Sequence, residues 1–476
     1  MSGLFSSLNS SVNALSAHSR AIETTGKNLA NVGNASYARQ RIIYGDRGTV
    51  ITPQGAQSLG LEALGVQQLR DKLLDRQVGR EIALTGYYEA QQKAYQRAQA
   101  ALGQDVASAS STQGTKSSAT DTGIAAALDD FFGAFHSFAA NPTDTGQRQT
   151  LLQTASILTD RIRLADTRLA QVQADLDYQV ESDVQEVNRL LETIAELNGQ
   201  IGRFEINNPG TAVDLRDQRQ AALEKLAAKL PIETTESGGQ LEVTARDANG
   251  DPVVLVSLAV VQGSIAFDAN ANPPTITGGG ANTVLSLNSG AIHGSMTARG
   301  GAIQTIRDQL DQLAAQLVTS VNEIYNPGNA STDFFAAGGT TAGTLALDAS
   351  LTPANLRANN GGSAGNNTVA LAIAQLADHK FSTTGAPADR IDGTFSGFFS
   401  GAVSGLGQAV SGATARVNDQ SRIEQLVRSQ RDAVSGVSLD EEMADLLKYQ
   451  RAFQASSRVF TTIDNLLDVV VNQLGR

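Results

Sequence analysis

Apolar residues recur at every seventh position at both ends of the chain. Toward the C-terminus one column reads Leu439, Leu446, Phe453, Phe460, Leu467, Leu474. Its alternate column, Met443, Gln450, Ser457, Asp464, Val471, is polar through the middle. The N-terminal stretch has the same form: Met1, Leu8, Leu15, Ile22 and Leu29 in one column, Leu4, Ser11, His18, Thr25 and Val32 in the other. A seven-residue repeat with two apolar positions predicts helices that supercoil together. The strong seams (Leu8, Leu15, Ile22, Leu29 with Leu439, Leu446, Phe453, Phe460, Leu467, Leu474) are expected to bury each other. The half-polar positions Ser11, His18, Thr25, Gln450, Ser457 and Asp464 are poor core and are expected to face neighbouring subunits. The pattern leaves open the alternative that both stripes pack on the central body of the same monomer. Ser438 and Glu441 have the spacing of a capping box opening the last helix.

Between the ends the period changes twice. Pro142 and Pro209 bracket a proline-free segment whose stripe runs Leu158, Ile162, Ala165, Leu169, Val172, Leu176, Val180, Val184, Val187, Leu191, Ile194. One rod from about 147 to 204 is about 85 Å long at about 1.5 Å per residue. Its repeated four-residue steps near Leu176 have the form of a stutter. From Pro231 to about Gly290 the sequence alternates, with Asn249-Gly250 placed for a hairpin turn. The predicted organisation is an N-terminal heptad helix (1–45), the first part of a long-helix bundle (46–230) and an inserted β-domain (231–290). A bundle helix (291–330), a Gly/Asn-rich surface segment of loop and short strands (331–395), a further bundle helix (396–435) and the C-terminal heptad helix (436–476) follow. The fold class is mainly α: an elongated helical bundle and coiled coil built from both termini, with a small inserted β-domain.

Composition narrows the function. The 476-residue chain carries a net charge of −12, which argues against nucleic-acid or anionic-membrane partners, since both need a basic face. There is no cysteine, so disulfides and thiolate metal sites are excluded. No cleavable secretory signal and no apolar run of membrane-spanning length is legible. Charge at the ends is weakly complementary. Residues 1–47 hold Arg20, Lys27, Arg39, Arg41 and Arg47 against Glu23 and Asp46, while residues 436–476 hold six acids against four bases.

Signals for chemistry are thin. His18, His136, His293 and His379 lack any paired ligand spacing. Gly361-Gly362-Ser363-Ala364-Gly365 fits a nucleophile-elbow pattern, but its flanks are neither strand nor helix. Asp214, Arg216, Asp217 and Arg219 read as salt bridges fixing a helix start rather than an active site. No catalytic residue, cofactor or metal site is expected.

The stretch "NLANVGNASYARQR" and the closing "SLDEEMADLLKYQRAFQASSRVFTTIDNLLDVVV" resemble the axial proteins of the bacterial flagellum. Within that group, "LDDFFGAFHSFAANPTDTGQRQTLL", "IAELNGQI" and "AVDLRDQRQAALEKLA" resemble the hook-associated protein 1 family, the hook–filament junction proteins. The resemblance runs in order over most of the chain. It implies a non-enzymatic structural adaptor: a ring of copies contacting hook protein and the second junction protein, with an export chaperone on the C-terminal helix. It also implies type III export from the cytoplasm and an extracellular place in the flagellum, without membrane insertion. Other readings are another axial component, a secreted coiled-coil adhesin or effector, or a cell-wall hydrolase. Two departures stand out. Asn34-Ala35-Ser36-Tyr37 replaces the family's Thr-Pro-Gly-Tyr turn, and the middle is short for the family, which implies a reduced or missing outer domain.

Overall fold

A computed structural model of the chain describes residues 2–46, 48–52, 55–58, 60–102, 123–237, 239–329, 331–361 and 365–469. Its axis is one continuous helix, α4 (Thr145–Phe204), about 90 Å long at about 1.5 Å per residue. Asp144 starts it by accepting a hydrogen bond from the Gly146 amide at 2.7 Å. Just beyond its end, Gly210 takes a positive φ of 84°. The residues of the predicted stripe, from Leu158 to Ile194, are all buried.

Two cores hang on this rod, and they meet at the stutter. Leu151 through Leu176 belong to one cluster, Val180 through Ile194 to the other. The steps Val172, Leu176, Val180, Val184 turn the apolar stripe around the rod, so its two halves present different faces to different partners. The first core gathers α2 (Lys72–Ala101), α3 (Ile124–Ala140), α7 (Gln304–Tyr325), α8 (Thr368–Gln375) and the start of α9 (Phe395–Ser435). Phe131, Phe135, Phe334, Phe335 and Tyr325 pack there edge to face or tilted, with successive centroids 5.0–6.0 Å apart. The second core packs α5 (Val213–Lys229) and α6 (Gly290–Ala298) with a four-stranded antiparallel sheet. That sheet is β5 (Glu233–Ser237), β6 (Gln240–Arg246), β7 (Pro252–Ser257) and β8 (Val260–Val261). Beside it lies a small sheet in the order β11 (Thr283–Val284), β10 (Thr275–Gly278), β9 (Ala266–Asp268). In the β6–β7 turn, Gly250 has φ 87° and Asp247 accepts the amides of Asn249 and Asp251. A kink at Arg299–Ile303, where Gly301 leaves helical geometry, separates α6 from α7.

Two expectations need correction. The region from 46 to 230 is not all bundle: β1 (Gln40–Asp46) pairs with β4 (Leu61–Gln68), and β2 (Thr49–Thr52) pairs with β3 (Gly55–Ser58). The N-terminal helix, α1 (Ser2–Ala30), accordingly stops well short of residue 45, and Gly33 turns the chain with φ 81°. The segment 331–395 is also not merely surface loop. It buries Phe334, Phe335, Leu345, Leu356, Phe381 and Ile391 and contains α8. Its apolar residues follow no period, because each plugs the first core separately while polar side chains satisfy the irregular backbone. Asn322 takes the amides of Phe334 and Phe335 and donates to the Phe335 carbonyl. Among the described residues, no helix is long and apolar enough to cross a membrane.

Candidate interface at the paired chain ends

The last helix, α10 (Leu439–Asp468), packs along α1 (Ser2–Ala30) of the same chain, and among the described elements α1 is its one substantial partner. The apolar face of the terminal helix therefore lies against the other end of the polypeptide. Along α10 the covered positions include Glu442, Leu446, Tyr449, Ala452, Ser456, Phe460, Ile463 and Leu467, spaced by threes and fours, with Asp445 and Ser457 half-buried beside them. Leu446 and Phe460 are half-buried and Leu467 is 8% exposed, while Phe453 is 37% and Leu439 54% exposed. Leu474, like Met1 and Val471, lies outside the described residues. The second column of the seam is thus set three residues after the strong column, not four. Glu442, Tyr449, Ser456 and Ile463 fill it, leaving Met443, Gln450 and Asp464 exposed and Ser457 half-buried.

On α1 the strong positions Leu8, Leu15, Ile22 and Leu29 are half-buried, as is His18. Ser11, at 8% exposure, and Thr25, at 4%, are buried within the chain, so these two do not face neighbours as expected. The reason is tertiary. α1 is covered by α10 and also by β1 and β4, which seal a broad face made of small residues: Ser11, Ala17, Ala21, Thr24, Thr25.

At the root of the pair a polar knot replaces apolar packing. Asn28, 1% exposed, uses its whole amide. Nδ2 donates to the Gln40 carbonyl at 2.8 Å and to Glu442 Oε2 at 2.9 Å. Oδ1 accepts the Gln40 amide at 3.0 Å and the Tyr37 hydroxyl at 2.8 Å. Arg39 closes the other side, with Nε on Glu442 Oε1 at 2.7 Å and Nη1 on Glu441 at 2.5 Å. Glu441 is therefore spent on Arg39, and Ser438 makes no side-chain cap, so the predicted capping box does not form. Arg39 also donates its amide to the Ser435 carbonyl at 2.8 Å, and Arg431, buried on α9, donates to the Ala35 carbonyl at 2.8 Å. The turn Asn34–Tyr37, where the chain departs from the family pattern, is thereby bolted to the α9–α10 joint.

The four charged residues in the first half of α5, Asp214, Arg216, Asp217 and Arg219, reach out to other elements instead of fixing their own helix start. Asp214 accepts from Gln40 Nε2 at 3.0 Å. Asp217 accepts from Arg70 at 2.6 Å, and Arg70 also holds Asp75 at 3.1 Å. Burial pushes the Asp217 carboxyl up to about 6 despite Arg70 beside it. Arg216 pairs with Glu205 and Glu236, both at 2.7 Å, and Arg219 with Glu236 at 3.1 Å and Asn198 at 2.7 Å. Burial alone would raise Glu205; the Arg216 guanidinium and the amides of Gly210 and Ala212 outweigh it and hold the carboxyl at about 2. α5 thus ties the rod, the sheet and the terminal knot into one frame.

The histidines do not converge. His18 lies on α1 and His136 is exposed on α3. His293 stacks on Tyr87 at 5.1 Å, and His379 meets the edge of Phe381 at 4.7 Å. Among the described residues no three His, Cys, Asp or Glu side chains are grouped to hold a metal ion. Residues 362–364 of the Gly-Gly-Ser-Ala-Gly stretch lie outside the described residues. The knot of Asn28, Arg39 and Glu442 escaped the sequence reading. The available signals were an Asn inside an apolar helix face and an acidic triplet, Asp440–Glu442, that also serves as a helix opening.

Residues 109–335 match the family described as the flagellar hook-associated protein FlgK helical domain. Residues 428–474 match that described as the flagellar basal body rod FlgEFG protein C-terminal. The chain is 25% identical to flagellar hook-associated protein 1 of Bacillus subtilis over 100% of its own length and 99% of the relative's. It is 24% identical to the protein of that name from Escherichia coli, over 70% of this chain and 60% of the relative. A solved structure of the flagellar hook junction protein FlgK from Burkholderia pseudomallei superposes with a TM-score of 0.46 at 23% identity, over 55% of this chain and 46% of that one.

Proposed function

The chain belongs to the flagellar hook-associated protein 1 family, and we propose that it is the structural adaptor joining the flagellar hook to the filament, needed for filament assembly and motility. The observation that carries this reading is the pairing of the two chain ends in one protomer with the outer side of α10 left uncovered. Leu439, Met443, Leu447, Val459 and Leu466 stay exposed there, more apolar surface than a solitary helix in water would carry. In an assembled tube the pairs would stand side by side, each covering its neighbour's outer face. Gln450 and Asp464 would lie in wet contacts between copies. The rod and its two cores would form the wall outside, with the β-domain facing solvent.

Mechanism here is packing. A ring between a flexing hook and a stiff filament needs many moderate contacts, and the heptad seam distributes them along about 45 Å of α10. Hook protein on one side, the second junction protein on the other and an export chaperone on the last helix are the partners of this reading. Passage through the type III export channel would take the chain from the cytoplasm to the flagellum. The named relatives are called hook-associated protein 1, not hook proteins or wall hydrolases, which supports this reading over the alternatives. Electron microscopy of cells lacking the gene tests the proposal. Hooks without filaments are expected; full-length filaments on such cells would refute it.

A further inference from the structure

Far from the terminal pair, a cavity of about 340 Å³ opens where the α3–α4 turn meets the segment 354–359. Arg148 and Arg357 both line it, and both are half-buried. Arg148 donates Nε to the Pro142 carbonyl at 3.1 Å and Nη1 to the carbonyls of Pro353 and Leu356 at 3.1 and 2.7 Å. Arg357 donates Nη2 to the carbonyls of Tyr325 and Thr332 at 2.7 and 3.3 Å. Each guanidinium also lies over a ring, Arg148 over Phe138 at 5.5 Å and Arg357 over Tyr325 at 4.7 Å. Both charges act on the buried Tyr325 phenol, so the two cations share one neighbourhood.

Carbonyls and rings satisfy hydrogen bonds but do not cancel charge. Among the described residues neither guanidinium pairs with a carboxylate, whereas Arg39, Arg70, Arg216, Arg219, Arg299, Arg307, Arg428 and Arg431 all do. Two half-buried cations without a counter-charge are an unusual feature in a chain of net charge −12. Their bonding also leaves the Nη2 group of Arg148 and the Nε and Nη1 groups of Arg357 without protein acceptors among the described residues. Each arginine therefore keeps N–H groups that can donate to one shared carboxylate, Arg148 through Nη2 and Arg357 through Nε or Nη1.

We propose that this cavity is a carboxylate-binding site in which Arg148 and Arg357 clamp a single acidic group. Its volume has room for an acidic side chain presented by a neighbouring subunit or for a small free carboxylic acid. Held by loop carbonyls and aromatic faces, both arginines are preorganised for it.

The test uses the purified full-length chain and its thermal unfolding midpoint in sodium succinate, sodium sulfate and sodium chloride at matched ionic strength. Succinate should raise the midpoint by about 2 °C over chloride, and by more than sulfate does. Ala354 is exposed on the cavity wall and makes no side-chain hydrogen bond, so Ala354→Glu supplies a carboxylate in place without disturbing either arginine. That variant should be stabilised in chloride and lose the succinate response, while Ala354→Gln keeps it. No succinate response in the natural chain, or equal responses in the two variants, overturns the site. Swimming separates the sources. Reduced halos for Ala354→Glu but not Ala354→Gln assign the acidic group to a neighbouring subunit, and equal halos assign it to a free acid.

Discussion

Asn28 and Glu442 lie 414 positions apart in the chain and share a buried hydrogen bond of 2.9 Å. Glu442, buried at the far end of the polypeptide, finds its partners Asn28 and Arg39 only at the near end. The bond is a check that the correct two helices have met in the correct register, since a slip of one residue along α10 would bury the charge of Glu442 without Asn28 and Arg39. Asn28→Ala should leave Glu442 Oε2 and the Gln40 backbone without their partner, with Arg39 still on Oε1, at a cost of about 1–3 kcal/mol. The effect should be local: faster amide exchange throughout α10 with unchanged protection in α4. Equal loosening of both helices would mean that the knot supports the whole fold and not the terminal pair.

Leu446 is half-buried in the seam of α10 and Phe453 lies at its exposed edge, both away from the two cores. Leu446→Asp puts a charge into that seam, and Phe453→Asp puts one beside it, while leaving the body intact. The purified variants should keep the urea midpoint of the main transition, and cells carrying them should make no attached filaments. Normal motility from either one would count against a load-carrying terminal pair.

Glu205 gives stability a pH signature. Its folded carboxyl sits near 2 and its unfolded value is 4.5, so its contribution is complete above about pH 4.5 and is lost as pH falls toward 2. The full span is about 3 kcal/mol. Asp217 works the other way: raised to about 6 from 3.8, it takes up a proton on folding and makes the protein less stable as pH climbs between those values. Urea titrations at pH 7 and pH 3 should show a large gap between the natural chain and Glu205→Gln at neutrality and a small one in acid. A gap independent of pH would assign Glu205 a packing role only.

The crossings of α2 with α6 and with α5 depend on glycine. A Cβ on Gly294 would fall 2.3 Å from the Tyr87 carbonyl oxygen and 2.9 Å from the Ala90 Cβ, and one on Gly86 2.4 Å from the Ala228 carbonyl oxygen. Backbone cannot retreat from such contacts as a flexible side chain could. Gly294→Ala should cost about 1–3 kcal/mol in urea unfolding. Gly79→Ala, on the same helix α2 with nothing within 4 Å of the added carbon, should cost nothing or stabilise slightly.

The rod and the heptad ends were legible in the sequence because a regular helix repeats its surface every few residues. Leu158 to Ile194 and Leu446, Phe460 and Leu467 announce their burial by spacing alone. The strong column at 439 is followed equally well by a companion three or four residues later, however, and periodicity does not choose between them. Tertiary structure chose three, because Glu442 has to reach Arg39 and Asn28. For the same reason Ser11 and Thr25 read as wet positions but lie buried: α1 packs on α10, β1 and β4 together, and those long-range contacts leave no trace in the helix pattern. The plugs Phe334, Phe335 and Phe381 sit in a Gly/Asn-rich segment with no period at all, and their burial is decided by the shape of the core they fill. Local repetition was readable from the amino acids; contacts between distant segments depend on shape and charge complementarity, which only the folded chain brings together.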